Sequence, residues 1–348
     1  MSAPRPVNVA VIGTGFMAVA HLRALRQVPG ARVAALCNPS GRNLDGDFSQ
    51  VFGNVGATDP LRLDMRDVKA YRDFSAVLDD PQIDLVDITT PTNLHAEQAI
   101  AALGAGKHVL CEKPIARTAA QGRRMVAAAD AARVFFMPAM CLRFWPEWAW
   151  VKAAIADLRF GRVLSARFRR VAEPPAWGQS NFLDGEKSGG ALLDLHIHDA
   201  DFVQFCFGRP TAVMAAGHTK VSGCVDHVVT QYRVACGAVV HAEGSWAMTA
   251  GFGFNMAYTV NFERATADYD LARGAEALKI FEPGQSPRVL KLDEPDGYVG
   301  ELRHITECIQ SGCAPSIVTA QDGLAAIEIC EAELRSIETG TAVATQPV

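Results

Sequence analysis

The chain has 348 residues, of which 49% are hydrophobic and 20% are charged, and its net charge is −5. This length predicts two domains, and the composition indicates a globular protein with enough apolar material to bury a core. Because no long basic run occurs, neither nucleic acid nor an anionic membrane is expected as a main partner.

Several further signals are missing from the sequence. It contains no run of about 18 apolar residues and no signal-peptide pattern, so we expect no membrane span and a cytoplasmic location. The nine cysteines are scattered without a CxxC pair. That distribution argues against a disulfide framework and against a structural metal.

The first third of the chain alternates short apolar runs with helical patterns. Strands are predicted over residues 7–12, 33–37, 85–89 and 108–110, and helices over 16–28 and 94–105. Alternation of this kind predicts βαβ units and a parallel, doubly wound sheet. Residues 38–71 are rich in Asn, Asp, Gly and Arg and predict a long surface excursion with a short helix near 64–70. The excursion either covers a ligand or is a solvated insertion.

The predicted secondary structure changes near residue 162, where one extended segment follows another without helices between them. Strands are predicted over 163–168, 212–221, 227–234, 238–248, 258–262, 278–281 and 289–292, and two final helices over 298–310 and 319–337. Consecutive strands without intervening helices predict a largely antiparallel sheet. We therefore expect an α/β chain with a dinucleotide-binding domain over residues 1–125 and a second α/β domain over 126–348.

A glycine motif opens the first helix. Residues 13–18, Gly-Thr-Gly-Phe-Met-Ala, fit G-x-G-x-x-G/A between a predicted strand and a predicted helix. Gly13 permits the tight turn, Gly15 lets the backbone approach a pyrophosphate, and the helix start offers N–H groups and a positive dipole. Gly13, Gly15, Phe16 and Met17 are thus expected to contact a dinucleotide.

The end of the second strand bears on which dinucleotide binds. Asn38 stands where an acidic residue would hold the adenosine ribose and repel a 2′-phosphate. Ser40 and Arg42 follow, and they are suited to holding a 2′-phosphate, which favours NADP. In the alternative, Arg42 is a solvated loop residue and NAD binds through Asn38.

Chemistry-bearing residues occur in three further clusters, at residues 89–95, 111–114 and 189–199. If residues 194–205 form one helix, Asp194 and His198 lie one turn apart on the same face. An imidazole near neutral pH suits removal of a hydroxyl proton as hydride leaves the carbon. Lys113 in the same cleft would stabilise negative charge on the substrate oxygen.

Together these motifs resemble the Gfo/Idh/MocA family, the glucose-fructose oxidoreductase and inositol dehydrogenase relatives. The resemblance covers most of the chain and rests on the glycine motif with His21, Thr90-Pro91 with His95, Glu112-Lys113-Pro114, Arg143-Phe144-Trp145-Pro146, and the Gly-Gly stretch leading to Asp194 and His198.

The resemblance implies a fold and a set of roles. It implies a Rossmann domain, a second α/β domain on a large open sheet that also binds substrate, and homodimers or homotetramers formed through that sheet. It implies that Lys113, Asp194 and His198 are catalytic and contact the substrate, with His198 as the acid/base. The residues it adds to the cofactor contacts are Thr90, Pro91, Asn93, His95, Glu112 and Lys113.

Two departures from the family pattern stand out. Ser188 gives Ser-Gly-Gly where the family has Gly-Gly-Gly, and His196 replaces a glycine between Asp194 and His198. His196 either adds a polar group to the substrate pocket or lies on another helix face without a role. The pattern around His196 and His198 also suits a metal site on a strand, but the helical prediction favours acid/base work, and no metal is expected.

One aromatic and one basic residue are further candidates for substrate contact, each with two possible roles. Trp177 either stacks on the apolar face of a sugar ring or packs within the domain. Arg143 either contacts substrate or simply begins a helix.

Three hypotheses of function follow. In the first, the chain is an NAD- or NADP-dependent dehydrogenase acting on a secondary hydroxyl of a sugar, sugar derivative or cyclitol. In the second, a tightly held cofactor is recycled during glycosidic cleavage or epimerisation. In the third, the chain is a non-catalytic dinucleotide sensor.

Overall fold

The computed structural model describes residues 5–53 and 59–345. The chain folds into two compact units. The first unit comprises Met1–Cys141 and Asp296–Leu324, and the second comprises Leu142–Pro295 and Ala325–Val348. This division differs from the expected boundary at 125 and 126, because one more strand and a late helix pack with the first unit.

The strands and α-helices have the following bounds in chain order. The strands are β1 (Val7–Ile12), β2 (Ala31–Cys37), β3 (Lys69–Tyr71), β4 (Leu85–Ile88), β5 (His108–Glu112), β6 (Phe136–Ala139), β7 (Val163–Ala172), β8 (Ala212–His218), β9 (His227–Arg233), β10 (Val239–Ser245), β11 (Phe254–Phe262), β12 (Thr266–Asp270), β13 (Leu278–Phe281), β14 (Arg288–Val289) and β15 (Val343–Ala344). The α-helices are α1 (Phe16–Leu25), α2 (Phe74–Leu78), α3 (Thr92–Gly104), α4 (Ala119–Ala131), α5 (Pro146–Ala156), α6 (Gln179–Phe182), α7 (Gly185–Ser188), α8 (Gly190–Asp194), α9 (Ile197–Phe207), α10 (Gly297–Ser311) and α11 (Ala320–Thr339).

The first unit is built on a six-stranded sheet in the order β3-β2-β1-β4-β5-β6. Every neighbouring pair in this sheet is parallel. All residues of β1 and β4 are buried, as expected for central strands covered by helices on both faces. The strand order reverses between β1 and β4, which is where a doubly wound fold binds its ligand. The predicted Rossmann architecture is confirmed.

Two local predictions in this unit are wrong. The short helix expected near residues 64–70 is absent, and Lys69–Tyr71 instead forms β3, whose residues pair with Ala35–Cys37 of β2. Pairing with an existing strand decides the conformation of so short a segment. The strand β6 was not predicted, and it pairs with β5 at the edge of the sheet.

The second unit is built on a nine-stranded sheet in the order β14-β13-β12-β11-β7-β10-β9-β8-β15. Its neighbouring strands are antiparallel except for β7 and β10, which run parallel. Buried and exposed residues alternate along β8 and β9. On the exposed side, Met214, Val229 and Val239 present large apolar side chains to solvent. The predicted open, mostly antiparallel sheet is confirmed, with β12 and β15 as strands that the sequence did not indicate.

The core of the second unit is aromatic. Trp148 of α5 is fully buried, and its ring packs edge-on against Phe202 of α9 and against Tyr258 of β11. Phe168 of β7 stacks on the same tryptophan, with ring centres 5.9 Å apart. These contacts fix α5 and α9 against the sheet, so the segment leading into α9 starts from a rigid base. Within the described part of the chain, no helix combines the length and apolarity needed to cross a membrane.

Candidate active site

The turn after β1 is shaped by a glycine with positive φ. Gly13 has φ +92°, and a Cβ built there would stand 2.9 Å from the carbonyl oxygen of Thr89, which follows β4. The Gly13 N–H donates to the Cys37 carbonyl at 2.8 Å. The ends of β1, β2 and β4 are therefore drawn together at the point where the strand order reverses, and only glycine fits this position.

The start of α1 has the form of a pyrophosphate cradle. Gly15 is the N-cap of α1, and because glycine has no side chain, no side-chain hydrogen bond from this residue caps the helix. Among the described residues, nothing beyond its chain neighbours and the helix backbone lies within 4 Å of where its Cβ would stand. The open space beside a helix N-terminus suits an anionic group. Phe16 and Met17 form the first turn and are half-buried, with the Phe16 ring lying against Gly53. These residues fit a dinucleotide.

The turn after β2 is held by the side chain expected to meet the ribose. The side-chain oxygen Oδ1 of Asn38 accepts from the Ser40 backbone N–H at 3.0 Å and from the Ser40 hydroxyl at 2.9 Å. The Asn38 amide donates to the Thr14 hydroxyl, and that hydroxyl donates to the Arg42 carbonyl at 2.8 Å. The glycine loop and this turn are thus one hydrogen-bonded assembly with no carboxylate at position 38.

A second cation near this turn was missed by sequence reasoning. A Cβ on Gly41 would stand 2.5 Å from Nη2 of Arg72, so the Arg72 guanidinium lies directly over Gly41. Arg42 and Arg72 are both exposed. Arg72 immediately follows β3, which pairs with β2. Because the segment before Arg72 was predicted as a helix, the sequence did not predict that Arg72 lies close to the end of β2.

The segment after β4 is tied to the loop that carries Lys113. His95 of α3 is buried, and its two ring nitrogens each lie 2.8 Å from a carbonyl oxygen, one of Pro114 and one of Thr90. Burial lowers the pKa of His95, and the two carbonyls oppose that shift. Pro91 is the N-cap of α3, and Asn93 is exposed in its first turn.

Glu112 connects Lys113 to a buried histidine. One Glu112 oxygen lies 3.1 Å from Nε2 of His21, and the other accepts the Lys113 backbone N–H at 3.0 Å. Nδ1 of His21 lies 2.9 Å and 3.0 Å from the two oxygens of Asp87. Sequence reasoning missed Asp87, although an acid inside an otherwise apolar strand is itself a signal, since buried charges need partners.

The segment around Asp194 and His198 is not the single helix that was predicted. Asp194 ends α8 and His198 lies in α9, with Leu195 and His196 forming a turn between them. The His196 N–H donates to the Ala191 carbonyl at 2.8 Å, five residues back, which interrupts the regular ladder. The spacing of one helical turn therefore does not apply to this pair. Asp194 is buried and His198 is half-exposed.

His196 faces the sheet of its own unit. It is fully buried, with Nε2 3.0 Å from the Tyr232 hydroxyl and 3.4 Å from Glu333 of α11. A Cβ on Gly244 of β10 would stand 2.5 Å from the His196 Cβ. Of the two alternatives for this departure from the family pattern, these contacts favour a packing position over a polar group lining a pocket.

Two other candidates are placed as follows. Arg143 is buried, donates to both oxygens of Asp201 at 2.8 and 2.7 Å, and lies 4.5 Å from the Phe205 ring centre. Its guanidinium is therefore engaged within the second unit. Trp177 belongs to a short 3₁₀ segment, Ala176–Gly178, and its side chain is outside the described part of the structure.

Ser188, the departure in the glycine run, closes a local turn. Its hydroxyl donates to the Phe182 carbonyl at 2.8 Å and accepts the Gly190 N–H at 3.1 Å. Gly189 and Gly190 both have positive φ. The serine therefore keeps the backbone geometry that leads into α8, and the two glycines it precedes supply the left-handed conformations.

Two family profiles match the chain. Residues 7–140 match an oxidoreductase family described as having an NAD-binding Rossmann fold. Residues 148–268 match the GFO/IDH/MocA C-terminal domain.

Several characterised proteins are similar over long alignments. The chain is 31% identical over 290 residues to 1,5-anhydro-D-fructose reductase of Ensifer adhaerens, covering 79% of this chain and 83% of that enzyme. It is 27% identical over 356 residues to myo-inositol 2-dehydrogenase of Thermotoga maritima, covering 98% and 99%. Levoglucosan dehydrogenase of Pseudarthrobacter phenanthrenivorans is 34% identical over 229 residues, which span 62% of this chain and only about half, 55%, of that protein.

The fold has a close counterpart among solved structures. Levoglucosan dehydrogenase in complex with NADH superposes with a TM-score of 0.84 at 24% identity, over 99% of this chain and 100% of that chain. Matched profiles for both halves, together with 31% identity to a reductase that the chain largely covers, establish that this protein is an oxidoreductase of the Gfo/Idh/MocA family.

Proposed function

We propose that this enzyme transfers a hydride between a nicotinamide dinucleotide and a secondary hydroxyl of a sugar, sugar derivative or cyclitol. The observation that carries the proposal is the loop of Lys113, held at Glu112 and at Pro114 by two buried histidines. That loop follows β5, at the same edge of the sheet as the glycine turn after β1. Bound NAD or NADP would supply the hydride acceptor there.

The proposed roles follow from side-chain chemistry and exposure. His198, half-exposed, accepts the hydroxyl proton as the C–H bond breaks and the C–O bond becomes a carbonyl. The Lys113 ammonium donates to the substrate oxygen and stabilises its negative charge. Asp194 is assigned to the same catalytic group on the family pattern, in contact with the substrate. The glycine loop with Phe16 and Met17, and Thr90, Pro91, Asn93 and His95 after β4, hold the dinucleotide.

The turn after β2 supports use of a 2′-phosphorylated dinucleotide. It has no carboxylate at position 38, and Arg42 and Arg72 stand at or beside it. Asn38→Asp should lower kcat/KM for NADP at least about tenfold and leave kcat/KM for NAD nearly unchanged, because a carboxylate repels the 2′-phosphate of NADP. Arg72→Ala should lower NADP use in the same direction. Initial rates with both cofactors measure the two effects, and an unchanged ratio in both variants would rule out this preference.

The proposal is tested by nicotinamide absorbance during turnover. Purified enzyme is incubated with NAD or NADP and a panel of sugars, anhydrosugars and inositols, chosen because the relatives are named for levoglucosan, 1,5-anhydro-D-fructose and myo-inositol. Lys113→Met and His198→Ala should each lower kcat/KM by about 100-fold or more. The matched control is His227→Ala, which removes a half-buried histidine of β9 in the same unit as His198.

Each outcome has a separate meaning. Reduction of cofactor with one sugar class, lost in both variants, supports the proposal. Full activity in either variant would remove that residue from the mechanism. Product formation without net cofactor reduction would replace the dehydrogenase with a cofactor-recycling enzyme, and cofactor binding without any turnover would favour a sensor.

The exposed face of the second sheet is the proposed self-association surface. It carries Met214, Val229 and Val239, an apolar set that a second copy would cover. Light scattering should give a dimer or tetramer, and Val229→Lys with Val239→Lys should shift it towards the monomer.

A further inference from the structure

Both ring nitrogens of His21 face carboxylates. Nδ1 lies 2.9 and 3.0 Å from the oxygens of Asp87, and Nε2 lies 3.1 Å from Glu112. An ionised carboxylate can only accept hydrogen bonds, so each contact requires a proton on the nitrogen. With Asp87 and Glu112 ionised, both protons therefore belong to His21, and the buried ring is an imidazolium.

A third carboxyl group completes the cluster. Glu301 of α10 is fully buried, and one of its oxygens lies 3.5 Å from Nε2 of His21. Neither Glu301 oxygen has a hydrogen-bond partner among the described residues. One imidazolium cannot balance three buried carboxylates. Burial, aided by Glu112 and Asp87 and opposed by His21, raises the pKa of Glu301 well above its ordinary value. Glu301 is therefore the neutral member.

This cluster is linked to Lys113 through a single side chain. Glu112 has one oxygen on His21 and the other on the Lys113 backbone N–H, at 3.1 and 3.0 Å. If the His21 charge is lost, the Glu112 carboxylate loses its cation in a site where it cannot reach water. It must then reorient or take up a proton, and in either case the hydrogen bond to Lys113 changes.

We infer that His21 is a positioning residue, a permanently protonated imidazolium that fixes Glu112 between itself and Lys113, with Glu301 present as an uncharged carboxylic acid. The part concerning catalysis rests on the role proposed for Lys113. The protonation of the cluster does not depend on that role.

The protonation is tested on the full-length enzyme by NMR with ¹⁵N-labelled histidine. Above the ordinary histidine pKa the exposed rings are neutral, and the His21 ring should still show two protonated nitrogens. Its signal is assigned by its disappearance in His21→Gln. If that variant does not fold, contact with the Tyr298 ring, whose centre lies 6.1 Å away, identifies the signal. A neutral His21 ring would overturn the inference.

A metal would overturn it as well. His21, Glu112 and Glu301 offer ligand atoms within 4.8 Å of one another, and a metal ligand must be an unprotonated nitrogen. Elemental analysis of the purified enzyme should therefore find no stoichiometric divalent metal. One equivalent that is lost in Glu301→Gln would replace the imidazolium with a metal centre.

Positioning is tested by separating kcat from binding. His21→Gln should lower kcat by up to about 100-fold, as misplacement of a catalytic group does, while the dissociation constant for the dinucleotide changes less than about twofold. His108→Gln is the matched control, because His108 lies on β5, the strand that ends at Glu112, and its ring accepts the Phe135 N–H, away from the His21 cluster. Adding Asp87→Asn to His21→Gln should recover part of the lost kcat, since it removes one uncompensated charge.

The two proposals fail in different ways. Full activity of Lys113→Met would refute the role of Lys113 and leave the NMR result standing. A neutral His21 ring, or an unchanged kcat in a folded His21→Gln enzyme, would refute positioning and leave Lys113 in its role.

Discussion

His21 in the first unit and His196 in the second are both fully buried, and each faces a glutamate from a helix late in the chain, Glu301 or Glu333. At His21 both ring nitrogens meet carboxylates. At His196 only Nε2 is engaged, by Tyr232 and Glu333, and Nδ1 has no partner among the described residues.

The difference shows how burial and charge compete. Burial lowers the pKa of either histidine, but at His21 the carboxylates of Asp87 and Glu112 outweigh it, and the pKa is raised well above the ordinary value. At His196 the carboxylate of Glu333, aided by Asp199, also outweighs burial, and the pKa is raised. Only the first ring, however, has an acceptor for each proton, so only there does geometry require the charge.

The largest expected effect is on stability when each histidine is made apolar. His21→Leu leaves Asp87 and Glu112 buried without a cation, and should cost about 3–5 kcal/mol in the free energy of unfolding. His196→Leu should cost less, because the Tyr232 hydroxyl still donates to Glu333 at 2.6 Å. Urea unfolding of both variants measures the comparison. An equal or smaller loss for His21→Leu would contradict the charge assignment.

The next effect concerns the packing that accommodates His196. Gly244→Ala would place a methyl group 2.5 Å from the His196 Cβ, and should destabilise the protein by about 1–3 kcal/mol. In a His196→Gly background the same substitution should cost little. Gly104→Ala, at the end of α3 with open space around it, is the control that should be neutral. Additive effects of the two changes at 196 and 244 would show that the residues do not compete for space.

The smallest effect is a pH dependence at Glu301. Because its folded-state pKa is raised above the ordinary 4.5, the unfolded chain releases this proton at a lower pH than the folded chain does. The group therefore stabilises the fold at low pH, and this contribution is lost as pH rises towards the folded pKa. As pH rises from the ordinary pKa towards the raised one, Glu301→Gln should gain on the wild type by up to about 1.4 kcal/mol per pH unit. Parallel pH curves for the two proteins would show that Glu301 is ionised when folded.

A local conformation could be predicted from the sequence where neighbouring residues determine it, and not where contacts with distant residues do. The glycine turn at residues 13–15 was predictable because the glycines that its backbone conformation needs are close together in the sequence. The turn at Leu195 and His196 was not, because it depends on a bond back to Ala191 and on the space left by Gly244 in a distant strand.

The residues around Lys113 divide in the same way. The Glu-Lys-Pro motif could be read directly, and His21 was visible as part of the family pattern. Asp87 and Glu301 were not found, since they join the cluster only through β4 and through a helix that returns to the first unit late in the chain. Arg72 was missed for the related reason that β3 owes its conformation to pairing with β2.

The return of α10 also sets an order in time. Residues 1–141 leave the ribosome well before residues 297–311, so during synthesis the first unit remains without α10 while strands β7 to β14 of the second sheet are made. Until then the face of α1 that packs against α10 stays uncovered, and His21 lacks its contact with Glu301. Domains usually fold as units from the N-terminus, but this one is completed only after most of the second unit has been made.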